Sequence, residues 1–93
     1  MPEAKLLYRL FIVSAEKETY TEVHDKSLKT DKVYLIVDSH AGKLWIWNGL
    51  KAKKEDFLIA QKFAKKLQAE LGIKSQIEKI NQGKEPAAFP KSF

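Results

Sequence analysis

Cysteine is absent from the 93-residue chain, and arginine occurs only once. The lack of thiols excludes disulfides and thiolate metal sites, and it fits a cytoplasmic protein. No apolar run approaches the roughly 20 residues that a membrane-spanning helix requires, so we expect no membrane span. Arg9 interrupts the apolar residues near the N-terminus, which argues against a signal peptide.

The positive charge of the chain is carried almost entirely by lysine. Sixteen of the seventeen cationic side chains are Lys, and the formal net charge is +5. This excess predicts either a solvated surface or an acidic partner. Arginine is the preferred side chain for phosphates and bases, so its scarcity argues against nucleic acid as that partner.

Sequence motifs for catalysis are also missing. The chain has no glycine-rich phosphate loop and no arrangement of serine, histidine and aspartate that indicates a nucleophile. The two histidines, His24 and His40, have no second ligand at metal-binding spacing, and we interpret them as surface and turn residues. The sequence therefore predicts a binding protein and not an enzyme.

The middle of the chain predicts a β-hairpin. Two apolar runs, residues 33–37 and 44–47, are rich in β-branched and aromatic residues and are separated by turn-forming residues. Side chains alternate between the faces of a strand, so Trp45 and Trp47 share one face. Because both faces of the hairpin are apolar, we expect both to be covered. The tryptophans are then core residues, and a stacking platform for bases is the alternative.

The remaining sequence predicts three further strands and one long helix. In the helix, apolar residues recur at three- and four-residue steps up to Gly72, a suitable terminating residue. A short helical turn is expected at residues 85–89, where Phe89 and Phe93 would help to cover the second face. The predicted ranges are strands at 5–14, 20–24 and 73–80 and the helix at 53–71. This order, β-β-β-β-α-β, predicts an α+β domain with a mixed sheet.

Several segments, in this order, resemble the repeating unit of the gelsolin, severin and villin family. They are LFIV at 10–13, DKVYLIVD at 31–38, LWIWNG at 44–49, Asp56 with Ala60 on the helix, and GKEPAAF at 83–89. The resemblance covers nearly the whole chain, which is then a single gelsolin-like domain over residues 1–93. It implies a mixed five-stranded sheet sandwiched between the long helix and a short C-terminal helix. It also implies a protein that binds actin, often under calcium control.

The resemblance implies a calcium site at the start of the central strand and of the helix. Its ligands would be the Thr30 carbonyl, Asp31 and Asp56, with Glu55 as an alternative to Asp56. Calcium requires roughly six to eight oxygen ligands, and the chain has no self-contained calcium loop. The other interpretation is that Asp56 stabilises the N-terminus of the helix, where negative charge is favourable. Neighbouring lysines oppose a divalent cation, so we expect the affinity to be weak.

The resemblance also implies that the outer face of the long helix lies in a cleft between two subdomains of actin. Leu58 is the unexpected residue on that face, because a surface that meets only water does not require leucine, although a lone exposed leucine is common. The lysines would suit an acidic partner mainly by steering its association. The predicted actin-binding face consists of Leu58, Ile59, Lys62, Lys65, Lys66 and Ala69.

The sequence thus predicts an actin-binding regulatory module that is monomeric by itself. It would sequester actin monomers or cap filament ends, with calcium as a possible cofactor. The first alternative is a structural protein–protein module of the same fold, as occurs in vesicle-coat subunits. The second alternative is a small basic nucleic-acid binder.

Overall fold

A computed structural model describes residues 8–86 except 24–27, 39–41 and 73–75. The strands are β1 (Tyr8–Ser14), β2 (Thr19–Val23), β3 (Val33–Asp38), β4 (Lys43–Asn48) and β5 (Gln76–Asn81), and the helix is α1 (Lys54–Leu71). This order confirms the predicted α+β class. Within the described ranges, no helix is long and apolar enough to cross a membrane.

The five strands form one mixed sheet in the order β2-β1-β3-β4-β5. Neighbouring strands are antiparallel except β4 and β5, which are parallel because α1 crosses over between them. β3 lies in the middle of the sheet, and all six of its residues are buried. β5 lies at an edge, as its polar content predicts.

Alternation along the strands divides the core into two clusters. Leu35 of β3 and Ile46 of β4 face α1, whereas Tyr34, Trp45 and Trp47 face the opposite side of the sheet. Trp45 is only 2% exposed and Trp47 only 3%. Their burial confirms that the tryptophans are core residues and contradicts the stacking platform, which requires accessible rings.

The predicted helical turn at residues 85–89 stays a prediction, because the structure describes only its first two residues. Glu85 and Pro86 lie outside any helix, and residues 87–93, including Phe89 and Phe93, lie outside the described residues. The Glu85 carboxylate accepts a hydrogen bond from the Trp47 indole Nε1 at 2.9 Å. That hydrogen bond lowers the pKa of Glu85 and fixes this segment beside the tryptophan face of the sheet.

The observed limits of the elements differ from the sequence prediction by a few residues. β2 begins one residue earlier than predicted, α1 begins one residue later, and β5 ends one residue later. α1 ends at Leu71 as expected, because Gly72 adopts a left-handed conformation with φ of 64°. Its N–H donates to the carbonyl oxygen of Ala69 at 3.2 Å, which satisfies one of the terminal acceptors of the helix.

Gly49 allows the turn after β4 to approach the chain that enters β3. Its N–H donates to the carbonyl oxygen of Lys32 at 3.1 Å, and the N–H of Lys51 donates to that of Thr30 at 2.8 Å. A Cβ atom built on Gly49 would lie 2.3 Å from the Thr30 carbonyl oxygen. The glycine that ends the LWIWNG segment at 44–49 is therefore required by the close contact of two backbone segments.

Candidate functional site

The N-terminal end of α1 borders a depression of about 760 Å³. Asp31, Glu55 and Asp56 all line it, and so does Ala15 in the turn between β1 and β2. Glu55 and Asp56 lie in the first helical turn, where a carboxylate interacts favourably with the helix dipole. Lys53 precedes the helix and makes no capping hydrogen bond through its side chain. The structure thus brings the three predicted carboxylates to one depression.

Asp56 is the buried residue of this group. It is 8% exposed, and its Oδ1 accepts a hydrogen bond from the backbone N–H of Ala15 at 2.8 Å. A carboxylate that accepts from a backbone N–H makes a strong, charge-assisted hydrogen bond. This bond joins the start of α1 to the turn between β1 and β2. Asp56 therefore has a structural role in addition to its favourable position in the helix dipole.

The predicted calcium site draws its ligands from the loop before β3 and from the first turn of α1. The Thr30 carbonyl accepts a hydrogen bond from the backbone N–H of Lys51, and the side chains of Asp31 and Glu55 are exposed on separate segments. Among the described residues, no three acidic or histidine side chains are grouped closely enough to hold a metal ion. The same depression is lined by Lys17, Lys32, Lys51 and Lys53. Calcium binding at this site stays a prediction.

The outer face of α1 carries the residues that the sequence assigned to a protein contact. Leu58 is 56% exposed, although large apolar side chains are usually buried. Ile59 is half-buried and packs against the core cluster that faces α1, so it contributes only to the edge of this face. The other residues of the predicted face are all exposed, namely Lys62, Lys65, Lys66 and Ala69.

The C-terminal end of α1 is tied to the edge strand β2. The Tyr20 hydroxyl donates to Glu70 Oε1 at 2.5 Å, and the Tyr20 ring packs against Phe11 and Phe63. Desolvation and the hydrogen bond to Glu70 raise the pKa of Tyr20 to about 12. Since Asp56 joins the other end of α1 to the turn between β1 and β2, both ends of the helix are anchored. The outer face is therefore presented by a firmly positioned element.

Leu50 and Gln82 are exposed or loop residues beyond the ends of β4 and β5. Neither carries a recognisable signal of function in the sequence. Leu50, directly after Gly49, is 72% exposed. The Oε1 atom of Gln82 accepts hydrogen bonds from the Thr30 hydroxyl at 2.6 Å and from the Leu50 N–H at 2.8 Å. A lone leucine in a loop and a glutamine after a strand resemble ordinary surface residues. Gln82 can join these segments only because the loop before β3 and the loop after β4 lie next to its own loop after β5.

Comparison with known families gives a match over most of the chain. The sequence model of the gelsolin repeat matches residues 21–89. This range includes β3, β4, the whole of α1 and β5. A search of curated protein sequences finds no match.

Solved structures with the same architecture agree with this match. Thorarchaeota ProGel, in a complex with rabbit actin, is 28% identical with a TM-score of 0.78 over 88% of this chain and 93% of that chain. Thorarchaeota 2DGel3, also in a complex with rabbit actin, is 32% identical with a TM-score of 0.75 over 100% of this chain but only 50% of that chain. Human COPII-coat protein Sec24c, at 14% identity and a TM-score of 0.62 over 85% of this chain and 14% of that chain, shares the fold alone. The chain belongs to the gelsolin-repeat family.

Proposed function

We propose that this protein binds actin or an actin-like protein through the outer face of α1. It acts in the cytoplasm as a monomeric binding module without catalytic activity, and it sequesters actin monomers or caps a filament end. The observation that carries the proposal is the exposure of Leu58 on a lysine-rich helix face in a gelsolin-family chain. Two similar gelsolin-type structures are complexes with rabbit actin, which supports this choice of partner.

The geometry of α1 suits binding of a helix in a groove. Leu58 projects from the second turn of an 18-residue helix, so it can enter an apolar cleft without any change of the backbone. Complete burial of a leucine side chain contributes roughly 1.5–3 kcal/mol, and Leu58 is already partly covered, so its gain is smaller. Because Asp56 and Glu70 anchor the two ends of the helix, little conformational entropy is lost on binding.

Leu58→Asp is expected to weaken actin binding strongly while the fold is retained. An exposed helical substitution usually changes the free energy of unfolding by less than about 0.5 kcal/mol. In the complex, the same change would bury an unpaired charge in an apolar cleft, so affinity should fall at least about tenfold. Thermal unfolding would report the fold, and co-sedimentation with pyrene-actin assembly would report the binding.

Leu50→Asp is the matched control, because Leu50 is the other large apolar side chain exposed in the described residues and lies outside α1. It should leave actin binding unchanged. If Leu58→Asp stays folded and binds actin as the wild type does, the helix is not the binding face. If the wild-type protein neither binds actin nor alters its assembly, the alternative of a structural module without actin contact takes precedence. Inhibition at equimolar protein indicates sequestration, whereas inhibition at far lower ratios indicates capping.

Calcium control is a separate part of the proposal, and the contact made by α1 does not require it. Calcium that binds the folded state would raise the unfolding temperature by mass action, and Asp31→Asn should remove that increase. Because four lysines line the depression, we expect binding only at millimolar calcium. Titration calorimetry that records no heat at that concentration, with or without actin, would contradict calcium binding.

A further inference from the structure

We infer that Lys62, Lys65 and Lys66, here called the lysine cluster, contact an acidic rim beside the partner cleft that receives Leu58. The inference rests on the proposed function and specifies the chemistry of the partner surface. That surface is an apolar pocket with carboxylates on one side, displaced toward the C-terminal end of α1.

The lysine cluster is unfavourable within the free protein. Lys62 precedes Lys65 by three residues and Lys66 by four, and like charges at both spacings repel each other on a helix. All three side chains are exposed. The ion pairs among the described residues are Arg9 with Glu22 and Lys43 with Glu78, and neither relieves this repulsion.

The carboxylates on the exposed side of α1 lie near its two ends, and Glu70 follows Lys66 by four residues. Glu55 is in the first turn, and Glu70 near the last residue is bonded to Tyr20. Between Leu58 and Ala69, the charged side chains of α1 are therefore all basic. Repulsion between these lysines does not stabilise the fold. Such a feature is expected at a functional site, where the compensating interaction comes from a partner.

The positions along α1 define where the acidic rim must lie. At 1.5 Å per residue, Lys62 follows Leu58 by about 6 Å along the helix axis, and Lys66 follows it by about 12 Å. At 100° per residue, Lys62 and Lys65 lie within about 40° of Leu58 around the axis. Nucleic acid would supply negative charge but no apolar pocket for Leu58. The arrangement therefore fits a protein surface better.

Lys62→Glu tests the inference, because it should maintain or raise the stability of the free protein while it lowers the affinity for actin. The introduced carboxylate precedes Lys66 by four residues, which is the favourable order for a helical ion pair. The midpoint of urea unfolding should therefore stay equal or rise. Affinity for actin at low ionic strength should fall about tenfold, because an attraction becomes a repulsion. The difference from the wild type should shrink below about threefold at high salt, where screening is strong.

Lys29→Glu is the matched control, since it changes the net charge equally. Lys29 is exposed, and its N–H donates to the hydroxyl of Tyr34, whose side chain faces away from α1. The Lys29→Glu variant should bind actin as the wild type does.

The inference is overturned if Lys62→Glu binds normally, if Lys29→Glu weakens binding as much, or if Lys62→Glu lowers the unfolding midpoint. If Leu58→Asp loses binding while Lys62→Glu does not, only this inference fails; if the wild type does not bind, the proposed function fails with it.

Discussion

Trp47→Ala is expected to lower the free energy of unfolding by about 3–5 kcal/mol. The Trp47 ring is 3% exposed and packs against Tyr34 with a distance of 5.8 Å between ring centroids. Its removal would leave a cavity that the surrounding strands of the sheet cannot close. Small domains are typically stable by only about 5–15 kcal/mol, so the loss is a large fraction of the total. Urea unfolding followed by circular dichroism measures it directly.

Trp47→Phe distinguishes the contribution of the ring volume from that of the indole N–H. Phenylalanine keeps much of the apolar volume but cannot donate to Glu85, so the expected loss is smaller than for alanine. A lost hydrogen bond of this kind contributes about 0.5–1.5 kcal/mol, or more when the acceptor is charged. An unchanged unfolding midpoint in Trp47→Ala would mean that the ring is exposed. The role of this face as a binding platform would then be reopened.

Gly49→Ala should destabilise the protein strongly, although it adds only one methyl group. The new Cβ would lie 2.3 Å from the Thr30 carbonyl oxygen and 2.7 Å from that of Lys32. Both contacts are with backbone atoms held by hydrogen bonds, so neither segment can move aside cheaply. Overpacking typically costs about 1–3 kcal/mol, and we expect a loss at the upper end of that range. The measurement is the free energy of unfolding in urea.

Leu50→Ala is the control for Gly49→Ala, because it changes the next residue where the side chain is 72% exposed. It should alter the free energy of unfolding by no more than about 0.5 kcal/mol. Gly49 has no left-handed backbone angle, so its replacement tests close approach alone and not dihedral strain. A Gly49→Ala protein that unfolds at the wild-type midpoint would show that the two segments can separate.

The secondary structure of this chain could be predicted because its signals are local. The alternation of Tyr34 and Leu35 between the sheet faces follows from the period of a strand. The outward position of Leu58 follows from the period of the helix, and Gly72 ends that helix where its backbone freedom is required. These features depend on the positions of apolar residues and glycines within one segment. No knowledge of distant contacts was needed to derive them.

The hydrogen bond between Glu85 and Trp47 shows what local reasoning cannot predict. Proline after glutamate is a common start of a helix, and that preference suggested the helical turn at residues 85–89. That turn stays a prediction, whereas the Glu85 side chain is hydrogen-bonded to Trp47, 38 residues earlier. A long-range hydrogen bond of this kind has no signature in the neighbouring sequence.

The features of the candidate site can likewise be separated into those that follow from local sequence and those that depend on distant contacts. The amino-acid sequence by itself determined the fold class, the two core faces and the exposed helix face around Leu58. Each follows from the spacing of apolar residues along the chain. Only the tertiary structure decided that Asp56 bonds to Ala15, that Gln82 joins three loops, and that Gly49 cannot accept a side chain. Each of these depends on which backbone atoms meet when segments far apart in the chain pack together. The register of the sheet and the packing of α1 determine these contacts, and neither can be read from a single segment of the sequence.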